Sequence, residues 1–118
     1  MKTVVFVASP NPMRFSHKMV KSLVRHGHEV VPVGFRDGEV SGVPIQKGTP
    51  ALKEVHTVAL YLAPRNQPEF YDYILSLNPK RIIFNPGTYN PEFVKMAEDN
   101  GINAMNDCGL IMLNKGIY

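Results

Sequence analysis

Ten consecutive residues, Ala8-Ser9-Pro10-Asn11-Pro12-Met13-Arg14-Phe15-Ser16-His17, bring two hydroxyls and a guanidinium to the approach of a helix. Ser9 and Ser16 can donate to phosphate oxygens, and Arg14 can fork onto the same oxygens. The first-turn N–H groups of a helix beginning near Ser16 complete a cradle for an anion. The chemistry that fits is the holding of phosphate, which makes a nucleotide-like ligand the leading idea. The loop lacks every glycine of G-x-G-x-x-G, and the second apolar run ends Pro32-Val33-Gly34-Phe35 instead of in the acid that holds a ribose. Hydride transfer from a nicotinamide dinucleotide is disfavoured on both counts. Taken alone, Ser16 could equally be a helix cap and Arg14 a solvated loop charge.

The elements that must position this loop follow from hydrophobic period. Apolar, β-branched runs at Thr3 to Ala8, Glu29 to Val33, Thr57 to Leu62 and Arg81 to Phe84, with a weaker one at Ile102 to Met105, read as strands. Between them, Met19, Val20, Leu23 and Val24 repeat at helical spacing. So do Phe70, Tyr71, Ile74, Leu75 and Leu77, and again Phe93, Val94 and Ala97. Ser16 and Asn90, the latter before Pro91, stand where N-caps are wanted, and Gly27 and Gly101 where a left-handed residue closes a helix. Such alternation predicts a Rossmann-like, doubly wound, parallel five-stranded sheet in three α/β/α layers, its strands apolar because both faces are covered. Gly38 to Lys47 reads as an irregular crossover with a short edge strand around Val43 to Ile45.

In that topology three further loops reach the same edge as Ser9 and Arg14. They are Gly34-Phe35-Arg36, Leu62-Ala63-Pro64 and Asn85-Pro86-Gly87-Thr88, all at carboxyl ends of parallel strands, where open α/β sheets bind ligands. Their proline and glycine content is also ordinary turn chemistry.

Other chemistry finds little support. His17, His26, His28 and His56 share no metal-ligand spacing with a cysteine or carboxylate. The lone Cys108 cannot form an internal disulfide. Tyr61, Tyr71 and Tyr73 read as core or helix-face aromatics, Glu69 and Asp72 as a solvated face. No Ser/His/Asp or Cys/His arrangement can be placed. A length of 118 residues predicts one domain spanning 1–118, and a net charge of +3 from scattered basic residues suits an anionic small molecule better than nucleic acid. No apolar run approaches the roughly 20 residues that span a bilayer, and the first apolar segment is unlike a secretory signal, so a cytoplasmic location is expected.

Several segments together resemble the CoA-binding protein family, whose fold is like the CoA-binding domain of the succinyl-CoA ligase α-subunit. They are Val7-Ala8-Ser9-Pro10, Arg14-Phe15-Ser16-His17, His26-Gly27-His28-Glu29-Val30-Val31-Pro32-Val33, Ser41-Gly42-Val43-Pro44, Ile83-Phe84-Asn85-Pro86-Gly87 with Asn90-Pro91-Glu92, and Cys108-Gly109-Leu110-Ile111-Met112-Leu113. The resemblance implies a domain that binds coenzyme A or an acyl-CoA, with the pyrophosphate near Ala8, Ser9, Arg14 and Ser16. It implies the adenosine end near Val33 to Arg36, and the pantetheine arm passing Leu62, Ala63 and Pro64 and then Asn85, Pro86 and Gly87. Two positions depart from the family's common pattern: Val7 replaces a glycine, and Gly34-Phe35 replaces Asn-Pro. The first departure crowds the backbone against a pyrophosphate; the second weakens or redirects adenosine recognition.

The expectation is therefore a non-catalytic CoA or acyl-CoA binder acting as sensor, carrier or adaptor, with no committed nucleophile or general base. Its alternatives are a Rossmann-like protein-interaction module without nucleotide binding and an enzyme acting on a nucleotide or thioester. A protein partner or a homo-oligomer is compatible with each, and the apolar tail Leu110-Ile111-Met112-Leu113 would serve it if it did not pack back on its own sheet.

Overall fold

The computed structural model describes residues 1–118. Its elements in chain order are β1 (Lys2–Phe6), α1 (Phe15–Arg25), β2 (Glu29–Gly34), β3 (Glu39–Val40), β4 (Val43–Pro44), β5 (Gln46–Lys47) and β6 (Val55–Leu60), then α2 (Tyr71–Ser76), β7 (Arg81–Phe84), α3 (Pro91–Asp99), β8 (Asn103–Asn106) and α4 (Gly109–Asn114). Two 3₁₀ turns, Pro64–Asn66 and Pro68–Phe70, lead into α2.

Six strands form one sheet in the order β5-β2-β1-β6-β7-β8, and every neighbouring pair is parallel. The five expected strands are its middle and one flank. The sixth, β5, is a two-residue edge that pairs Gln46 with Val33 and Lys47 with Gly34. The edge strand thus lies just beyond the expected Val43 to Ile45; Val43–Pro44 instead closes a separate antiparallel hairpin with Glu39–Val40. Because the side-chain period in a strand is two, Val4, Phe6, Val58, Leu60, Ile82 and Phe84 face one way and meet Tyr71, Ile74, Phe93 and Ala97 from α2 and α3. Val5 and Ala59 face the other way and meet Met19, Val20, Leu23 and Leu113 from α1 and α4. Burial on both sides is why these strands tolerate almost no polar residue.

Local details refine the sequence reading. β1 ends at Phe6 and not at Ala8, because the chain turns off the ladder at Val7; the Ala8 N–H still donates to the Val33 carbonyl at 2.7 Å. The N-cap position of α1 falls on Arg14, two residues before the expected Ser16, which is buried inside the first turn. Asn90 does cap α3, accepting from the N–H groups of Glu92 at 3.1 Å and Phe93 at 3.4 Å. Gly27 and Gly101 close α1 and α3 at φ +78° and +75°, the left-handed region that costs glycine nothing. The tail folds as α4 and packs back, burying Met112 and Leu113. No helix is long and apolar enough to cross a membrane.

Candidate functional site

Chain order runs from β1 outward through β2 to β5, then returns to β6 on the other side of β1. The connections therefore diverge between β1 and β6, the switch point at which open α/β sheets leave a crevice. An open cleft of about 460 Å³ lies there, within the roughly 300–1,000 Å³ typical of small-molecule sites. A second cleft of about 600 Å³, lined by Lys2, Lys53, His56 and Lys80 among others, lies at the amino ends of the strands, away from these loops. Topology favours the first.

The β1–α1 loop builds one wall. Asn11 organises it: its N–H donates to the Ser9 hydroxyl at 3.1 Å, its Oδ1 accepts from the Met13 N–H at 3.0 Å, and its carbonyl accepts from the Arg14 N–H at 3.1 Å. That turn delivers Arg14 to the start of α1, where no side chain caps the first-turn N–H groups. Arg14, Phe15 and Ser16 at that helix start all line the cleft. The end of β2 supplies the second wall. A Cβ on Gly34 would collide with the Ala8 carbonyl oxygen, so only glycine lets the two loops press together and carries Phe35 and Arg36 to the rim. The end of β6 supplies the floor through Tyr61, Leu62 and Ala63, with Asn66 and Pro86 beyond.

The electrostatics are one-sided. Arg14 and Arg36 line the cleft, no aspartate or glutamate does, and neither arginine joins an ion pair. Asp37, next to Arg36, is held instead by Lys47 at 3.1 Å. The Tyr61 phenol is buried without a hydrogen-bond partner. Burial, and then the nearby Cys108, push its pKa well above the usual tyrosine value, so it keeps its proton and offers a donor.

Of the residues singled out from sequence, Ala8, Ser9, Arg14, Ser16, Arg36, Leu62, Ala63 and Pro86 come together around this cleft. Val33, Pro64, Asn85 and Gly87 do not line it. Val33 lies in the core at 0% exposure, since it is still inside β2. Pro64 opens a 3₁₀ turn, and Gly87 makes a left-handed bend at φ +87°. Asn85 is 1% exposed, and its amide serves the fold: Nδ2 donates to the Leu60 carbonyl at 3.1 Å while Oδ1 accepts from the Gly109 N–H at 2.9 Å. The cleft also holds Val7, Pro10, Phe15, Phe35, Tyr61 and Asn66. Phe35 lies in the loop Gly34-Phe35-Arg36 already expected at this edge; Tyr61 follows directly on a strand end, a signal that could have marked it, and Asn66 depends on a 3₁₀ turn that no sequence period announces.

Residues 2–114 match the family described as CoA binding domain. The chain belongs to that family. Among solved structures, this CoA-binding domain is similar to an uncharacterised protein at 44% identity and a TM-score of 0.96, covering 99% of this chain and 97% of that one. It is also similar to cell-free ID.343 from Thermus thermophilus, at 25% identity and a TM-score of 0.87 over 99% of this chain and 90% of the other. A third similar structure is a hypothetical protein from Pyrococcus horikoshii OT3, at 27% identity and a TM-score of 0.83 over 97% and 81%. Curated proteins offer no match.

Proposed function

We propose that this chain holds coenzyme A or an acyl-CoA in the cleft between β1 and β6, without transforming it, as a sensor, carrier or adaptor. The carrying observation is the pair Arg14 and Arg36, both free of ion pairs, in a cleft with no carboxylate on its lining. CoA brings the complementary charge at two separated places, a pyrophosphate and a ribose phosphate. Arg14, Ser9, Ser16 and the uncapped first turn of α1 would hold the pyrophosphate; Arg36 would hold the ribose phosphate. The Tyr61 phenol, buried and unpartnered, suits an acceptor such as an amide carbonyl of the pantetheine arm. Bound CoA would supply a thiol or thioester; the chain would supply position and charge.

A holding role is supported by what the polar groups are doing. His17 meets Ser9, but its Nδ1 lies 2.9 Å from the Ser9 carbonyl oxygen, so no serine–histidine nucleophile is assembled. Tyr61 keeps its proton and is no base near neutrality.

Thermal unfolding tests the ligand. CoA should raise the melting temperature more than NAD does, because the cleft has phosphate-binding arginines while the end of β2 has no acid for an unsubstituted ribose. At about 100 times the dissociation constant the added stability is roughly 2.7 kcal/mol. Equal or greater stabilisation by NAD would overturn the assignment.

A further inference from the structure

We propose that the cleft of about 600 Å³ at the amino ends of the strands is a second ligand site, which takes a small organic phosphate with an aliphatic part. It lies at the opposite ends of β1 and β6 from the CoA cleft, and it stands whether or not CoA is the ligand there.

Its lining divides by chemistry. Leu52, Val55 and Leu77 give an apolar wall, two of them buried. Lys2, Lys53 and Lys80 bring three ammonium groups to the same cleft. Lys2 is committed to the fold: its Nζ donates to the Lys53 carbonyl at 2.8 Å and lies 3.7 Å from the Glu29 carboxylate. Lys53 and Lys80 join no ion pair, and Glu54, the single carboxylate on the lining, pairs with neither. Ammonium groups on flexible stems meet a phosphate as point charges, whereas flat two-point recognition of a carboxylate favours arginine, and no arginine lines this cleft. No phenylalanine or tyrosine lines it either, so a nucleobase would find no ring to stack on. An alkyl ester fits the wall better.

A buried cation behind the cleft carries the argument further. Arg81 joins no ion pair, and its Nη2 is buried without a hydrogen-bond partner. The Tyr118 ring, 4.6 Å from the guanidinium carbon, offsets only part of that charge. Arg81 Nε donates to Thr57 Oγ1 at 2.8 Å, and the same oxygen lies 2.8 Å from Nδ1 of His56, which lines the cleft. With Arg81 as its donor, the Thr57 hydroxyl can give its own proton to Nδ1, which leaves the imidazole proton on Nε2 as a donor for an anion. Burial, then the positive charges of Arg81, the chain's amino group and Lys80, hold the His56 pKa below its ordinary value. A buried cation without a counter-ion is costly, and an anion in the adjoining cleft reduces that cost. The backbone agrees: Glu54 at φ +57° and Asn78 at φ +49°, two of the three non-glycine residues in the left-handed region, both line this cleft.

Amide NMR of the full chain titrated with n-butyl phosphate tests the site, with inorganic phosphate and pentanoate as comparisons. Butyl phosphate should shift the amides of Lys53, His56, Asn78 and Lys80. Read at those amides, it should bind severalfold more tightly than inorganic phosphate, which lacks the tail, and than pentanoate, which keeps the tail on a carboxylate. The exposed pair Lys53→Ala/Lys80→Ala should weaken it on the order of tenfold. Lys21→Ala/Lys115→Ala, the same loss of charge at exposed positions off the cleft, should leave it unchanged, as should Arg14→Ala. Shifts confined to Ser9, Arg14 and Ser16 would overturn the second site. Equal losses in the two lysine pairs would also overturn it, by reducing it to net charge. Pentanoate binding as tightly as butyl phosphate would overturn the phosphate assignment. None of these results bears on CoA, whose binding is read separately with Arg14→Ala.

Discussion

The loops Val7 to Arg14 and Asn85 to Asn90 both lead from a core strand to a helix on the same edge of the sheet, and they use their polar groups in opposite ways. In the second, Asn90 caps α3 with its Oδ1 while its Nδ2 donates to Gln67 Oε1 at 3.0 Å and to the Tyr71 hydroxyl at 2.8 Å. Gln67, 0% exposed, passes the network on by donating to the carbonyls of Leu62 and Thr88, each at 2.8 Å. Asn85 ties β6 to the start of α4 in the same manner. At the first loop α1 begins uncapped and Arg14 has no acidic partner; around the same cleft Arg36, after β2, is likewise unpaired, and the Tyr61 phenol, after β6, has no acceptor. Donors that are satisfied internally stabilise a fold; donors left free beside a cleft are available to a ligand. The difference separates a loop whose polar groups serve the fold from one that leaves Arg14 and a helix start unpartnered beside a cleft, where amino-acid type alone made them look alike.

Breaking the structural loop should give the largest change in stability and little change in binding. Asn90→Ala removes a cap and leaves buried groups of Gln67 and Tyr71 unpaired, a loss on the order of 2–4 kcal/mol in chemical denaturation. CoA affinity of the folded fraction should stay within about twofold. A large affinity loss at full stability would mean that the network belongs to the site.

Tyr61→Phe probes the floor of the cleft with a smaller effect of opposite sign. Removing a buried hydroxyl that has no partner should stabilise the free protein by about 1 kcal/mol, read as a raised melting temperature, and should weaken CoA severalfold. Destabilisation of the free protein would show that the phenol already has an acceptor.

How much of this was legible in sequence varies with the physics. Strands buried on both faces announce themselves as apolar runs, which is why β1, β2, β6 and β7 were readable. The edge strand β5, Gln46–Lys47, has no apolar signature because only backbone pairing with Val33 and Gly34 makes it a strand. A proline after Asn90 made that cap readable. Ser16 misled because the phase of α1 is set by the Asn11 turn, two residues earlier than the hydroxyl suggests. Arg14 and Arg36 could be picked out as loop charges, but their common cleft depends on Gly34 touching Ala8 across the sheet. The sequestering of Asn85 was out of reach, since its partner Gly109 lies 24 residues away.

The central claim, that the two arginines hold different phosphates of CoA, is tested most directly by titration calorimetry of CoA and dephospho-CoA against the unmodified protein, Arg14→Ala and Arg36→Ala. Both side chains are exposed and free of ion pairs, so both variants should fold with stability changed by no more than about 0.5 kcal/mol. A charge-assisted hydrogen bond of this kind is worth roughly 1.5–3 kcal/mol, about tenfold or more in affinity. Arg14→Ala should weaken CoA and dephospho-CoA alike, whereas Arg36→Ala should erase the preference for CoA and leave dephospho-CoA nearly untouched. Unchanged CoA affinity in both variants would contradict the account.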